Sequence, residues 1–101
     1  MKVSGIDLPI AEIEAFCKTR QIRRLALFGS ILRDDFISDS DIDILVEFES
    51  GVQVGWEFFK MQEDLSELIG RKVDLNTPAE LSKYFRDKAL REAKDIYVAA
   101  L

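Results

Sequence analysis

The chain has 101 residues, 48% of them hydrophobic and 33% charged, so it can bury a core yet leaves room for one domain, expected to span 1–101, and does not have the composition of a disordered chain. Its formal net charge of −5, from 19 acidic and 14 basic side chains, excludes a protein that grips long nucleic acid through counterion release. No apolar run approaches the roughly 20 residues that span a bilayer, MKVSGIDLPI lacks a signal's apolar stretch, and the one cysteine cannot pair within the chain; the expectation is a cytoplasmic protein with no membrane contact.

Residues 8–19 (LPIAEIEAFCKT) place Ile10, Ile13 and Phe16/Cys17 at helical spacing, with Asp7 as the expected N-cap and Cys17 as a small buried hydrophobe. Residues 22–28 (IRRLALF) read as a strand ended by Gly29-Ser30. A short helix over 30–36, opened by Ser30, is expected before the polar cluster Ser38-Asp39-Ser40. Residues 42–48 (IDILVEF) form the clearest strand, with Ile42, Ile44, Val46 and Phe48 on one face and Asp43, Leu45 and Glu47 on the other. A helix over 56–69 carries the stripe Phe58, Met61, Leu65, Leu68 and Ile69, and Gly70 follows as its C′ residue. Residues 72–75 make a brief strand, and Thr77-Pro78-Ala79-Glu80 resembles a capped helix start, with the remainder through Leu101 expected to be helical. The order α-β-α-β-α-β-α predicts an α+β fold, a small mixed β-sheet flanked by helices.

With no histidine in the chain, chemistry must rest on carboxylates, hydroxyls, Lys or Arg, with a hard metal. Residues two apart on a strand point to one side, so Asp41 and Asp43 would present their oxygens together if Asp41 is already extended. Two such acids repel unless a cation stands between them, and a pair of divalent ions about 3.5–4 Å apart suits them. Taken alone, an Asp-x-Asp is more often a solvated strand end. A calcium loop fails, because Ile44 stands where it needs Gly and Ser50 where it needs a bidentate Glu. Gly29-Ser30 alone reads as an ordinary strand-to-helix turn; beside the acids it becomes a phosphate-binding turn, with backbone N–H groups and a hydroxyl facing phosphate-bound metals. Antiparallel pairing of 22–28 with 42–48 would bring them together. Asp74, between Val73 and Leu75, points away from the core and joins the pair if its strand lies beside 42–48; otherwise it is a surface acid. Arg33 could touch a leaving pyrophosphate or be solvated. Asp34 and Asp35 read as helix-surface charge, and Trp56, Phe58 and Phe59 as core or partner surface rather than a base-stacking platform.

Gly29, Ser30, ten residues, Asp41-x-Asp43, with a third acid at Asp74, resembles the signature of the minimal nucleotidyltransferases, small members of the DNA polymerase β-like superfamily. The likeness runs from about residue 10 to 97 and includes GRKVDLNTPAEL and LREAKDIY. It implies the polymerase β-like nucleotidyltransferase fold, ATP as co-substrate, two Mg2+ ions, and transfer of AMP to a hydroxyl with release of pyrophosphate. It also implies a HEPN-domain toxin as partner, adenylylated on tyrosine by a nucleotidyltransferase acting as antitoxin, and a hetero-oligomer of the two. By the same resemblance Gly29, Ser30 and Arg33 hold the nucleotide, and Asp41, Asp43 and Asp74 form the catalytic, metal-holding triad. The chain leaves no room for a second domain to bind a drug or template, so the acceptor is expected on a partner protein. The alternative is a binding module that neutralises its partner by covering it.

Overall fold

In the computed structural model, which describes residues 1–100, the chain opens on a hairpin of β1 (Lys2–Val3) and β2 (Ile6–Asp7). Both residues of its turn are left-handed, Ser4 at φ 49° and Gly5 at φ 80°, which matches the twist of tight hairpins. This hairpin corrects the expected N-cap. Asp7 pairs with Lys2 in β2 and faces the N-terminal amine at 3.5 Å, and α1 (Ile10–Thr19) begins after Pro9 instead, with no side-chain cap. α1 buries Ile13, Phe16 and Cys17. Burial pushes the Cys17 thiol up to about 12, with Arg20 opposing weakly, so the nucleophilic thiolate is scarce. Cys17 should resist alkylation in the native protein and react fully in denaturant; rapid native labelling would contradict that burial.

The main sheet has the order β5-β4-β3-β6. β3 (Ile22–Phe28) pairs antiparallel with β4 (Ile42–Phe48), and β5 (Val73–Asn76) lies parallel on the other side of β4. The sheet is therefore mixed. Leu27 of β3, Ile42, Ile44 and Val46 of β4, and Val73 and Leu75 of β5 pack with α1 and with α2 (Glu57–Ile69), which contributes Met61 and Leu65. α2 ends on Gly70 at φ 82°, the left-handed C′ residue that its sequence announces. A smaller cluster on the opposite face joins Phe28 and Leu45 to Ala89 of α3 (Lys83–Glu92).

Two further expectations need correction. Thr77 and Glu80 do form a reciprocal cap, with the Glu80 carboxylate accepting from the Thr77 N–H at 3.0 Å, but it closes only a 3₁₀ turn over Pro78–Glu80. Leu81 is extended so that its side chain joins the Phe28 cluster, and α3 restarts on a Ser82 cap. The Arg86 guanidinium donates to the Pro78 and Leu81 carbonyls, satisfying groups that the break would strand. Beyond Glu92 the chain is not helical: β6 (Lys94–Val98) occupies the free edge of β3. Its Ile96, Tyr97 and Val98 favour a pleated surface, Ile96 is buried, and Asp95 meets Arg24 at 2.6 Å. Leu101, the end of the expected helix, lies outside the described residues.

Candidate active site

The chain leaves β3 through a 3₁₀ turn over Gly29–Leu32 rather than the expected helix over 30–36, so Asp34 and Asp35 occupy an exposed turn and not a helix surface. Ile31 is buried, and Arg33 is already extended, which ends the turn after one cycle. Ser30 is therefore not a helix cap; it lies within the turn, half-buried, one residue after a left-handed glycine at φ 76°. The Ser4 hydroxyl donates to the Ile31 carbonyl at 2.5 Å and ties the N-terminal hairpin to this turn.

Phe28 pairs directly with Asp43, which sets that acid beside the turn. The contact is close: a Cβ on Gly29 would run into the Asp43 carboxylate and come within 3.2 Å of its Cγ. On the other side of β4, Asp43 is in register with Asp74 of β5. Because Ile42, Ile44, Val73 and Leu75 fill the core, strand alternation sends both acids to the opposite face. Asp74 is exposed and Asp43 is half-buried. α2 steadies the outer edge of β5, since the Val73 N–H donates to the Ser66 hydroxyl at 3.0 Å and the Leu75 N–H to the Gln62 side chain at 2.9 Å. Asp41 stands just outside β4, half-exposed, with the Lys72 ammonium 3.8 Å away.

These acids feel one another. The Asp43 carboxyl lies above its ordinary range, first through burial, then through the charges of Asp74 and Asp41, while Arg33 pulls it back. Arg33 is itself exposed and reaches Asp35 at 3.4 Å. Among the described residues no three acids are gathered into a ready-made cation cage. The donor set is nonetheless all oxygen, and the unfavourable charge at Asp43 is what a divalent ion would relieve, so these residues fit Mg2+ chemically.

Other candidates lie elsewhere. Phe58 packs partly on the core, whereas Trp56 and Phe59 are 87% and 62% exposed with ring centroids 6.2 Å apart. They sit at the start of α2. A surface groove lined by Phe16, Arg20, Asp64 and Leu68 runs between α1 and α2, against the face of the sheet that the acids avoid. Arg71 and Lys72 were missed by sequence reasoning. Their adjacency to a strand is visible in GRKVDL, but which loop they meet depends on the β4–β5 register.

A mixed sheet that sets a glycine–serine turn beside paired aspartates is the framework of nucleotidyl transfer. The chain belongs to the nucleotidyltransferase domain family, whose sequence model matches residues 10–96. It is 36% identical over 77 residues to the protein adenylyltransferase MntA of Thermococcus cleftensis, an alignment covering 76% of this chain and 75% of that protein. A solved structure provisionally described as a minimal nucleotidyltransferase shares 31% identity and superposes with a TM-score of 0.69 over 83% of this chain and 85% of that one. The fold also recurs in two toxin–antitoxin complexes. One, with AMP-PNP, has a TM-score of 0.73 at 19% identity, covering 91% of this chain and 75% of that one. The other, a tri-AMPylated Shewanella oneidensis HEPN toxin with an MNT antitoxin, has a TM-score of 0.63 at 18% identity, covering 89% and 70%. Among the described residues no helix is long and apolar enough to cross a membrane.

Proposed function

We propose that this chain is an Mg2+-dependent protein adenylyltransferase of the antitoxin kind, moving AMP from ATP onto a tyrosine hydroxyl of a HEPN-domain toxin, in the cytoplasm and within a hetero-oligomer. The observation that carries this reading is the register of Asp43 with Asp74, one strand from Gly29-Ser30. The MntA relative and the AMPylated complex support the choice of nucleotide and acceptor.

In this reading the Gly29-Ser30 backbone and the Ser30 hydroxyl bind the triphosphate, and Arg33 steadies the departing pyrophosphate. Asp41, Asp43 and Asp74 would hold two Mg2+ ions, whose chemistry is to neutralise phosphate charge and polarise the α-phosphoryl group. Asp74, the most exposed of the three, accepts the proton of the acceptor hydroxyl. The acceptor oxygen bonds to the α-phosphorus as the bond to the β-phosphate's bridging oxygen breaks, and pyrophosphate leaves with that electron pair. The phosphodiester adds charge and bulk where a toxin must bind RNA.

The test combines the purified chain, a candidate HEPN-domain partner, ATP and Mg2+, and weighs that partner by intact-mass spectrometry. An AMP-sized gain on a tyrosine, lost with EDTA and in Asp41→Asn, is the expected result. A partner that is inhibited yet unmodified would instead establish the binding module. One observation favours that second reading: Trp56 and Phe59 are exposed at the start of α2, outside the group of acids, where a partner could dock without any chemistry.

A further inference from the structure

The segment that delivers Asp41, residues 33–41, has little to hold it. Its own bonds are local: the Ser40 N–H donates to the Ile37 carbonyl at 3.0 Å, and the Ile37 N–H to the Ser40 hydroxyl at 3.1 Å. Phe36 packs, partly buried, against the core, and beyond the adjoining turn the segment's polar ties to the rest of the molecule come from one short stretch, Arg71-Lys72, at the head of β5. The Arg71 guanidinium donates to the Ile37 carbonyl at 3.2 Å and the Ser40 carbonyl at 2.7 Å, and lies over the Phe36 ring at 4.9 Å. The Lys72 carbonyl accepts from the Ile42 N–H at 2.9 Å. Arg71 thus fastens the loop ending in Asp41 to the strand bearing Asp74, two residues before that strand begins.

We infer that Arg71 is a positioning residue for the acidic site, a brace that keeps Asp41 in place against Asp43 and Asp74 so that divalent cation is held. The inference rests on the adenylyltransferase reading. A loop carrying an unbraced carboxylate must be ordered each time the cation binds, and that entropic cost appears as weakened metal affinity. One terminal nitrogen of the guanidinium makes both bonds, and the planar group also stacks on Phe36; a lysine ammonium at 71 could reach a carbonyl but offers a point charge without the stack.

The experiment compares wild type, Arg71→Ala, Arg71→Lys and, as a control, Arg23→Ala, which removes an exposed arginine whose partner is Glu47. Mn2+ binding by electron paramagnetic resonance, with a non-hydrolysable ATP analogue present, and amide hydrogen exchange over 36–42 are read on each, beside AMP transfer against Mg2+ concentration. Arg71→Ala should bind Mn2+ about 10-fold more weakly and exchange faster over 36–42. Its half-saturating Mg2+ should rise about 10-fold while the maximal rate is largely regained at high Mg2+. Arg71→Lys should fall between, and Arg23→Ala should match wild type. Unchanged Mn2+ affinity and exchange in Arg71→Ala would overturn the brace even with transfer intact in wild type. Equal Mn2+ weakening in Arg23→Ala would also overturn it, since a general loss of stability would then suffice. If wild type binds Mn2+ but transfers no AMP, the adenylyltransferase reading fails, and the brace is judged on the Mn2+ and exchange data.

Discussion

Asp43→Asn should melt at a higher temperature than wild type when metal is absent, while losing AMP transfer by about 10²–10³-fold or more. The folded environment disfavours charge at Asp43, because the side chain is half-buried and faces Asp74 and Asp41. The unfolded chain carries no such penalty. Below the ordinary value of 3.8 the carboxyl is neutral in both states and costs nothing. As pH rises above it, the unfolded chain gives up its proton first, stability falls, and the loss is complete once the folded carboxyl has ionised. At neutral pH the wild type therefore bears the full repulsion, and the amide of nearly identical shape removes it. The melting temperature of the variant should therefore rise, a direction fixed by the burial of Asp43 and by its two charged neighbours. The difference should vanish in acid. Mg2+ should reverse the ranking, raising the melting temperature of wild type and leaving Asp43→Asn unmoved, because a ligand stabilises only the state that binds it. Calorimetry at pH 3.5 and 7, with and without Mg2+, checks all of these. A variant less stable than wild type at pH 7 without metal would show that Asp43 is a structural acid.

The parts of the fold that could be read ahead share one property, a pattern repeated within a few residues. Strict alternation over 42–48 located β4 and its faces, and the stripe ending in Gly70 located α2. Those faces sent Asp43 and Asp74 to one side, and the β3–β4 pairing brought Asp43 to Gly29. What could not be read depends on distant chain. Lys94–Val98 follows a helix and has mixed charge, and becomes a strand because the edge of β3 is open and Arg24 waits for Asp95. Thr77–Glu80 carries every local mark of a helix start, yet Leu81 is taken by a cluster on the far side of the sheet. Tertiary demand overrides local preference in both places. The role of Arg71 follows the same rule, for nothing in GRKVDL says that Phe36 and the Ser40 carbonyl will be its neighbours.

Gly29→Ala should damage stability and chemistry together, and a second glycine separates the two costs. Gly29 and Gly70 have nearly the same positive φ, 76° and 82°, so the positive-φ penalty of an added Cβ, about 1–2 kcal/mol, is common to both. Their surroundings differ. A Cβ at Gly70 meets nothing within 4 Å, whereas one at Gly29 drives against the Asp43 side chain from its carboxylate to its Cβ. Rotating Asp43 relieves part of that clash, but it moves the carboxylate out of the site, and the rest falls on the β3–β4 pairing through Phe28. Gly29→Ala should thus lose about 2–4 kcal/mol, roughly 10–25 °C in melting temperature, and at least about 10²-fold in AMP transfer. Gly70→Ala should lose about 1–2 kcal/mol and transfer AMP normally once folded. In an Asp43→Ala background most of the excess cost at Gly29 should disappear, because the carboxylate and Cγ are gone and only the contact with the residue-43 Cβ at 3.3 Å remains. A penalty at Gly29 that persists undiminished without the Asp43 carboxylate would mean that the turn needs glycine only for its backbone. The closeness of turn and acid, from which the catalytic reading starts, would then have no energetic counterpart.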